Sequence, residues 1–208
     1  MMRYKNLIWD FDGTLFDSYP HICAAYMQAL ADFGRTADPA VVMAKLKINF
    51  GEAHKYLQSS DELRARFTQY EHDRTFAPVA VPYEGLPALL ADTHAAGVRH
   101  FLFTHRNNLA LTYMEEAGIL PYFTGWVTSD DKEHFALKPS PKSIQYLLEA
   151  YGIDPEDCAM IGDREIDVGS GIAAGTKGIL FDEFGNLPET QAQHRVCSIG
   201  EMRELLFA

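Results

Sequence analysis

From about residue 82 to the end of the chain, short apolar runs alternate with helical patterns, and this alternation constrains the fold more than any other feature. Residues 86–96 read as a helix closed by Gly97, 98–104 (VRHFLFT) as a strand, and 108–117 as a helix closed by Gly118. The pattern repeats with a strand at 125–129, a helix at 141–151 closed by Gly152, a strand at 158–162 and a helix at 167–174 closed by Gly175. A strand at 178–181, a candidate strand at 195–198 and a helix at 201–207 finish the chain. Strands separated by helices pair in parallel, because the chain must return to the same edge before each new strand begins; helices then cover both faces of the sheet.

One interruption falls after the first strand. Residues 6–11 (NLIWDF) are an apolar run ending in acid, which reads as a buried strand, and Gly13 and Thr14 turn the chain. Asp17 or Ser18 caps a helix with Pro20 in its first turn, Ile22, Tyr26, Leu30 and Phe33 recur at helical spacing, and Gly34 stops it. Helical patterns continue over 41–46, 53–57 and 61–74, until Pro78 and Pro82 bracket an extended linker. The expectation is an α/β core domain built from residues 1–15 and 82–208, with residues 16–81 inserted as a helical-bundle cap. A chain of 208 residues suffices for one core and a small insert, and 47% hydrophobic with 23% charged residues is the profile of a soluble globular protein.

The formal net charge of −11 makes nucleic acid a poor partner, since phosphate contacts need clustered Lys and Arg. An acidic protein that handles anions must gather its few cations, or a metal, at one place. Cys23, Cys158 and Cys197 are odd in number and form no CxxC pair, so each reads as a small buried residue in a reducing, cytoplasmic setting. The acidic pair arrives too early for a signal peptide, and no apolar run approaches the ~20 residues of a membrane span. The expected partners include no nucleic acid and no membrane, and the chain is expected to be a monomer or weak dimer.

In an open α/β sheet, ligands bind outside the carboxyl ends of the strands. The polar residues of this chain fall there. Asp10 and Asp12 end the first strand, Thr104 the next, Lys138 follows the third, and Asp163 ends the fourth with Asp167 one helical turn on. Taken singly, each has an ordinary reading: an Asp caps a helix, a Thr belongs to a strand, a Lys is solvated. Together they are three or more carboxylates that repel one another without a cation, and an all-oxygen ligand set suits Mg²⁺.

The strings WDFDGTLFDS, FLFTH, LKPSP and MIGDREIDVGSGIAAG resemble, in order and spacing, the four motifs of the haloacid dehalogenase-like (HAD) phosphatase superfamily. The insert between the first two motifs, and the linker VPYEGLPALL, look like the phosphoglycolate phosphatase and β-phosphoglucomutase branch with its helical cap. The resemblance implies a three-layer, Rossmann-like core and a Mg²⁺-dependent hydrolysis of a small phosphomonoester, phosphoglycolate-like or sugar-phosphate-like, through an aspartyl-phosphate. It implies Asp10 as nucleophile, Asp12 as general acid and then base, Thr104 and Lys138 as catalytic contacts to the phosphoryl group, and Gly13 in the phosphate-binding turn. It implies Asp10, Asp163 and Asp12, the last through its backbone carbonyl, as metal ligands, with Asp167 behind them orienting a water or Lys138.

Asp12 favours an oxygen leaving group, since dehalogenases and phosphonoacetaldehyde hydrolases of the superfamily lack that second Asp. Nothing in the sequence demands a phosphomutase, so the reading favours phosphatase over mutase. A non-catalytic module on the same fold would have lost Asp10, Asp12, Lys138 or Asp163, and none is lost. A nucleotide-binding sheet would carry GxGxxG or GxxxxGK[ST] after the first strand, and neither occurs. The chain departs from its relatives after Thr104: where Asn and Lys are usual it has His105 and Arg106, candidates for substrate contact at the mouth of the site. In the insert, Lys47, Asn49 and His54 are candidates for contacts to the leaving group, against the commoner fate of a solvated helical face.

Overall fold

The computed structural model describes residues 2–185 and 189–208. It contains, in chain order, β1 (Asn6–Trp9), β2 (Phe16–Asp17), α1 (Tyr19–Asp32), α2 (Pro39–Ile48), α3 (Phe50–Tyr56), α4 (Asp61–His72), β3 (Val81–Pro82), α5 (Leu86–Ala95), β4 (Arg99–Phe103), α6 (Leu109–Glu116), β5 (Phe123–Val127), α7 (Lys142–Ala150), β6 (Cys158–Gly162), α8 (Glu165–Ala173), β7 (Lys177–Phe181), β8 (His194–Val196) and α9 (Ile199–Leu206). Six strands form one sheet in the order β5-β4-β1-β6-β7-β8, and every recorded pairing is parallel. β1 is the strand from which the order proceeds both ways, so the crevice where ligands collect in such sheets opens at its carboxyl end. The central strands β1 and β6 are buried along their whole length, as a sheet covered on both faces requires.

The chain divides into two compact units, Met1–Phe16 with Pro82–Ala208, and Asp17–Val81. The first holds a buried cluster under the sheet that includes Ile8, Phe101, Phe103, Val127, Ile144 and Met160. The second has its own, built from Ile22, Tyr26 and Leu30 of α1, Val42 and Leu46 of α2, and Leu63 and Phe67 of α4. The first unit is left after Phe16 and re-entered at Pro82, and the Tyr83 N–H donates to the Leu15 carbonyl at 3.1 Å. The two ends of the gap in that unit are therefore neighbours.

Several elements differ from expectation at their edges. β5 begins two residues before Gly125, because Phe123 and Val127 bury alternate side chains while Thr124 and Trp126 stay exposed, as suits the last strand of a sheet. β8 is three residues long and already ends at Val196. α8 starts at Glu165 rather than at Asp167, which places Asp167 inside the first turn. Of the cysteines, Cys23 and Cys158 are buried, whereas Cys197 is half-buried, since it follows the short outer strand β8. Among the described residues no helix is long and apolar enough to cross a membrane.

Candidate active site

Register delivers the acidic residues to one place. Trp9 lies opposite Leu102 of β4 and Ile161 of β6, so Asp10, Thr104 and Asp163 leave three adjacent strands at nearly the same height. The Asp10 N–H donates to the Ile161 carbonyl at 2.9 Å, extending the ladder by one rung and fixing its Cα. Gly13 takes φ +73°, a conformation glycine adopts without a Cβ penalty, and its N–H donates to the Phe16 carbonyl at 2.8 Å, closing the turn that follows. That amide, expected in the phosphate-binding turn, is thus engaged in shaping the turn itself.

Asp10, Asp163 and Asp167 are all buried, and each offers an oxygen within 4.8 Å of the others. Lys138 sits among them with its side chain fully buried, its Nζ 2.5 Å from Asp10 Oδ1 and 2.8 Å from Asp167 Oδ1. Asp10 Oδ2 accepts no hydrogen bond. Burial first, and the neighbouring Asp167 second, push the Asp10 carboxyl up to about 6 against the pull of Lys138 and Arg164. Asp167 is buried just as deeply, but Lys138 and Arg164 outweigh that burial and hold its carboxyl below the usual range. Its Oδ2 also accepts the Arg164 N–H at 3.0 Å, the contact an acidic residue in a first helical turn makes back to the residue before the helix.

Arg164 itself escaped the sequence reading. Its guanidinium lies 3.9 Å from Asp10 Oδ2, 3.7 Å from Asp163 Oδ1 and 3.6 Å from Asp167 Oδ2, so it faces all three carboxylates. A signal was present: in GDREID a cation stands between two expected site acids, in a chain poor in cations. A second residue not singled out is Thr14, whose buried hydroxyl has no hydrogen-bond partner.

Thr104 is buried, and its hydroxyl oxygen accepts the Arg106 N–H at 3.0 Å, which leaves the hydroxyl proton to be donated elsewhere. His105 is placed differently from expectation. Its Nε2 accepts the Lys138 N–H at 2.8 Å, so the ring braces the loop that carries Lys138. Burial, then Lys138 and Arg164, depress this imidazole to about 4, which keeps it neutral and able to accept. The Asp12 side chain stands outside the carboxylate trio and pairs with Arg106, whose Nη2 is 2.7 Å from Oδ1 and whose Nε is 3.3 Å from Oδ2.

Lys47, Asn49 and His54 belong to the second unit, and each has a structural task there. Lys47 Nζ lies 4.3 Å from the centre of the Tyr19 ring. Asn49 caps α3, its Oδ1 accepting the Glu52 N–H at 2.8 Å. His54 Nδ1 is 3.0 Å from the Tyr26 hydroxyl. Asp130 and Asp131, in the loop after β5, accept backbone N–H groups of Asn108 and of Glu133 and His134 respectively.

The donor set fits a hard divalent cation: the buried carboxylates of Asp10, Asp163 and Asp167 converge, Asp10 Oδ2 accepts no hydrogen bond, and among the described residues no thiol or imidazole belongs to the cluster. The pattern of the haloacid dehalogenase-like hydrolases matches residues 4–175 of the chain. Pyrophosphatase PpaX of Bacillus velezensis is 30% identical over 182 residues, covering 84% of this chain and 82% of that protein. Phosphoglycolate phosphatase of Neisseria gonorrhoeae is 28% identical over 192 residues, covering 85% and 80%. The crystal structure of a hydrolase from Streptococcus pneumoniae TIGR4 superposes with a TM-score of 0.70 at 33% identity, covering 100% of both chains.

Proposed function

The chain belongs to the haloacid dehalogenase-like hydrolases, and from that premise we propose that it is a Mg²⁺-dependent phosphatase which hydrolyses a small phosphomonoester through a phosphorylated Asp10. The observation that carries this reading is the Asp10 carboxylate: buried, held at Oδ1 by Lys138, and with Oδ2 accepting no hydrogen bond. An oxygen so placed is available to an electrophile. Relatives named pyrophosphatase and phosphoglycolate phosphatase favour hydrolysis over phosphate transfer within a sugar.

In this mechanism an Asp10 oxygen attacks phosphorus while the bond from phosphorus to the leaving oxygen breaks. Asp12 gives its proton to that oxygen. It then takes a proton from water, whose oxygen attacks phosphorus as the bond to Asp10 breaks and phosphate departs. Thr104 donates its hydroxyl proton to a phosphoryl oxygen, and Lys138 balances the charge gathering on the phosphoryl group and on Asp10. Asp167 orients Lys138, consistent with their 2.8 Å contact. A Mg²⁺ held by Asp10, Asp163 and the Asp12 backbone carbonyl would neutralise phosphoryl oxygens and align the ester.

The test is release of phosphate from p-nitrophenyl phosphate with and without Mg²⁺, repeated with Asp10→Asn. Wild type is expected to turn over only with the metal, and Asp10→Asn to fall to background and to accumulate no acid-stable phosphoenzyme. Equal release by mutant and parent overturns the proposal. Phosphoglycolate, sugar phosphates and pyrophosphate then form the panel that ranks substrates.

A further inference from the structure

We propose that Arg106 is the positioning residue for Asp12. The inference rests on the acid–base part assigned to Asp12 above, and it changes what Arg106 is for: its charge is directed at the protein's own carboxylate and not at the mouth of the site.

The guanidinium meets both Asp12 oxygens, Nη2 to Oδ1 at 2.7 Å and Nε to Oδ2 at 3.3 Å, the two-point geometry that fixes a carboxylate's plane as well as its place. The pair is sheltered, with the arginine side chain 6% and the aspartate side chain 15% exposed. The Phe11 ring centre lies 5.4 Å from the guanidinium carbon and that of Tyr113 6.0 Å. Those rings are held by Phe16, stacked on Phe11 at 4.5 Å and edge-on to Tyr113 at 5.9 Å. At the backbone, the Arg106 N–H donates to Thr104 Oγ1 and its carbonyl accepts the Ser129 N–H, each at 3.0 Å. Arg106 is thus anchored at both ends and bridges the end of β4 to the turn after β1.

Asp12 stands in that turn, beyond the last residue of β1, where its backbone bridges to Phe16, and the guanidinium sets the plane of its carboxylate. A proton donor must sit within hydrogen-bond reach of the leaving oxygen, and a displacement of about 1 Å can cost on the order of 10²-fold in rate. A lysine would offer one point of attachment and leave the carboxylate free to rotate.

Pre-steady-state hydrolysis of p-nitrophenyl phosphate by the full chain with Mg²⁺ separates the two steps. The burst of p-nitrophenolate reports phosphorylation of Asp10, whose leaving group needs no proton. The later steady rate reports attack by water, which needs Asp12 as base. Arg106→Met is expected to keep a burst rate within about threefold of wild type and to slow the steady rate by about 10- to 100-fold. Arg106→Lys is expected in between, and still reads out if the methionine variant does not fold. A loss shared equally by both phases, or no loss in either, overturns the inference. Asp12→Asn tells the two failures apart. If it too leaves the steady rate intact, the acid–base reading of Asp12 has failed. If it slows that rate while the Arg106 variants do not, only the part given to Arg106 has failed.

Discussion

Gly162 shows how closely the site is fitted at the level of one residue. A Cβ at this position would stand 2.2 Å from Asp167 Cβ, 2.6 Å from its Cγ and 2.8 Å from its Oδ2, with no flexible group to yield. Gly162→Ala must therefore push Asp167 away from Lys138 and the Arg164 N–H. The expected cost is about 1–3 kcal/mol of stability, read by thermal or denaturant unfolding, and a rate loss on the order of 10²-fold with p-nitrophenyl phosphate. A variant as active and as stable as the parent would show that Asp167 has room to spare. At this scale the sequence placed Asp10, Thr104, Lys138, Asp163 and Asp167 beyond strand ends, because each follows a strand whose apolar run is easily read. It did not disclose the direction of the Arg106, His105 and Arg164 side chains. Each is a polar residue just past a strand end, and whether it faces solvent, substrate or another protein group is decided by partners far away in the chain: Asp12, Lys138 and Asp10 respectively.

Between elements, β1, β4 and α5 are joined by a buried polar chain. The Trp9 indole N–H donates to His100 Nδ1 at 3.0 Å, His100 Nε2 lies 3.1 Å from Thr93 Oγ1, and that hydroxyl donates to the Leu89 carbonyl at 2.7 Å. With Nδ1 accepting, the ring is neutral and its Nε2–H donates. Burial, reinforced by the charge of His94, lowers this imidazole from 6.5 to about 3. The folded protein thus resists the proton that the unfolded chain takes up below pH 6.5, and the stability tied to His100 is present above that pH and is lost as pH falls toward 3. From pH 7 to pH 5 the loss should reach about 2 kcal/mol. His100→Gln should flatten the fall, measured as urea midpoints at pH 7, 6 and 5. Parallel curves for the two proteins would exclude His100 as the cause. Element type was legible where apolar periodicity was strong, as in β4 and β6. Boundaries slipped where side chains alternate, as in β5, or where a turn residue serves the site, as at the start of α8.

For the molecule as a whole, the sequence switches from a helical to an alternating pattern near residue 82, the second compact unit ends at Val81, and each unit must bury its own apolar surface. Each does so, with separate buried clusters. The shortage of cations in a chain of net charge −11 was also instructive: Lys138, Arg106 and Arg164 all face site carboxylates. A chain in which residues 18–80 are replaced by a short Gly/Ser link should fold, giving a cooperative melt and the circular dichroism of an α/β sheet. A broad, non-cooperative transition would mean that the first unit depends on the second for its stability. The hydrogen bond from the Tyr83 N–H to the Leu15 carbonyl also bears on what the sheet can host between those two residues. A gap whose banks lie so close can be bridged by segments of different length without shifting a strand, so the inserted helices can grow or shrink while the strand ends stay where they are.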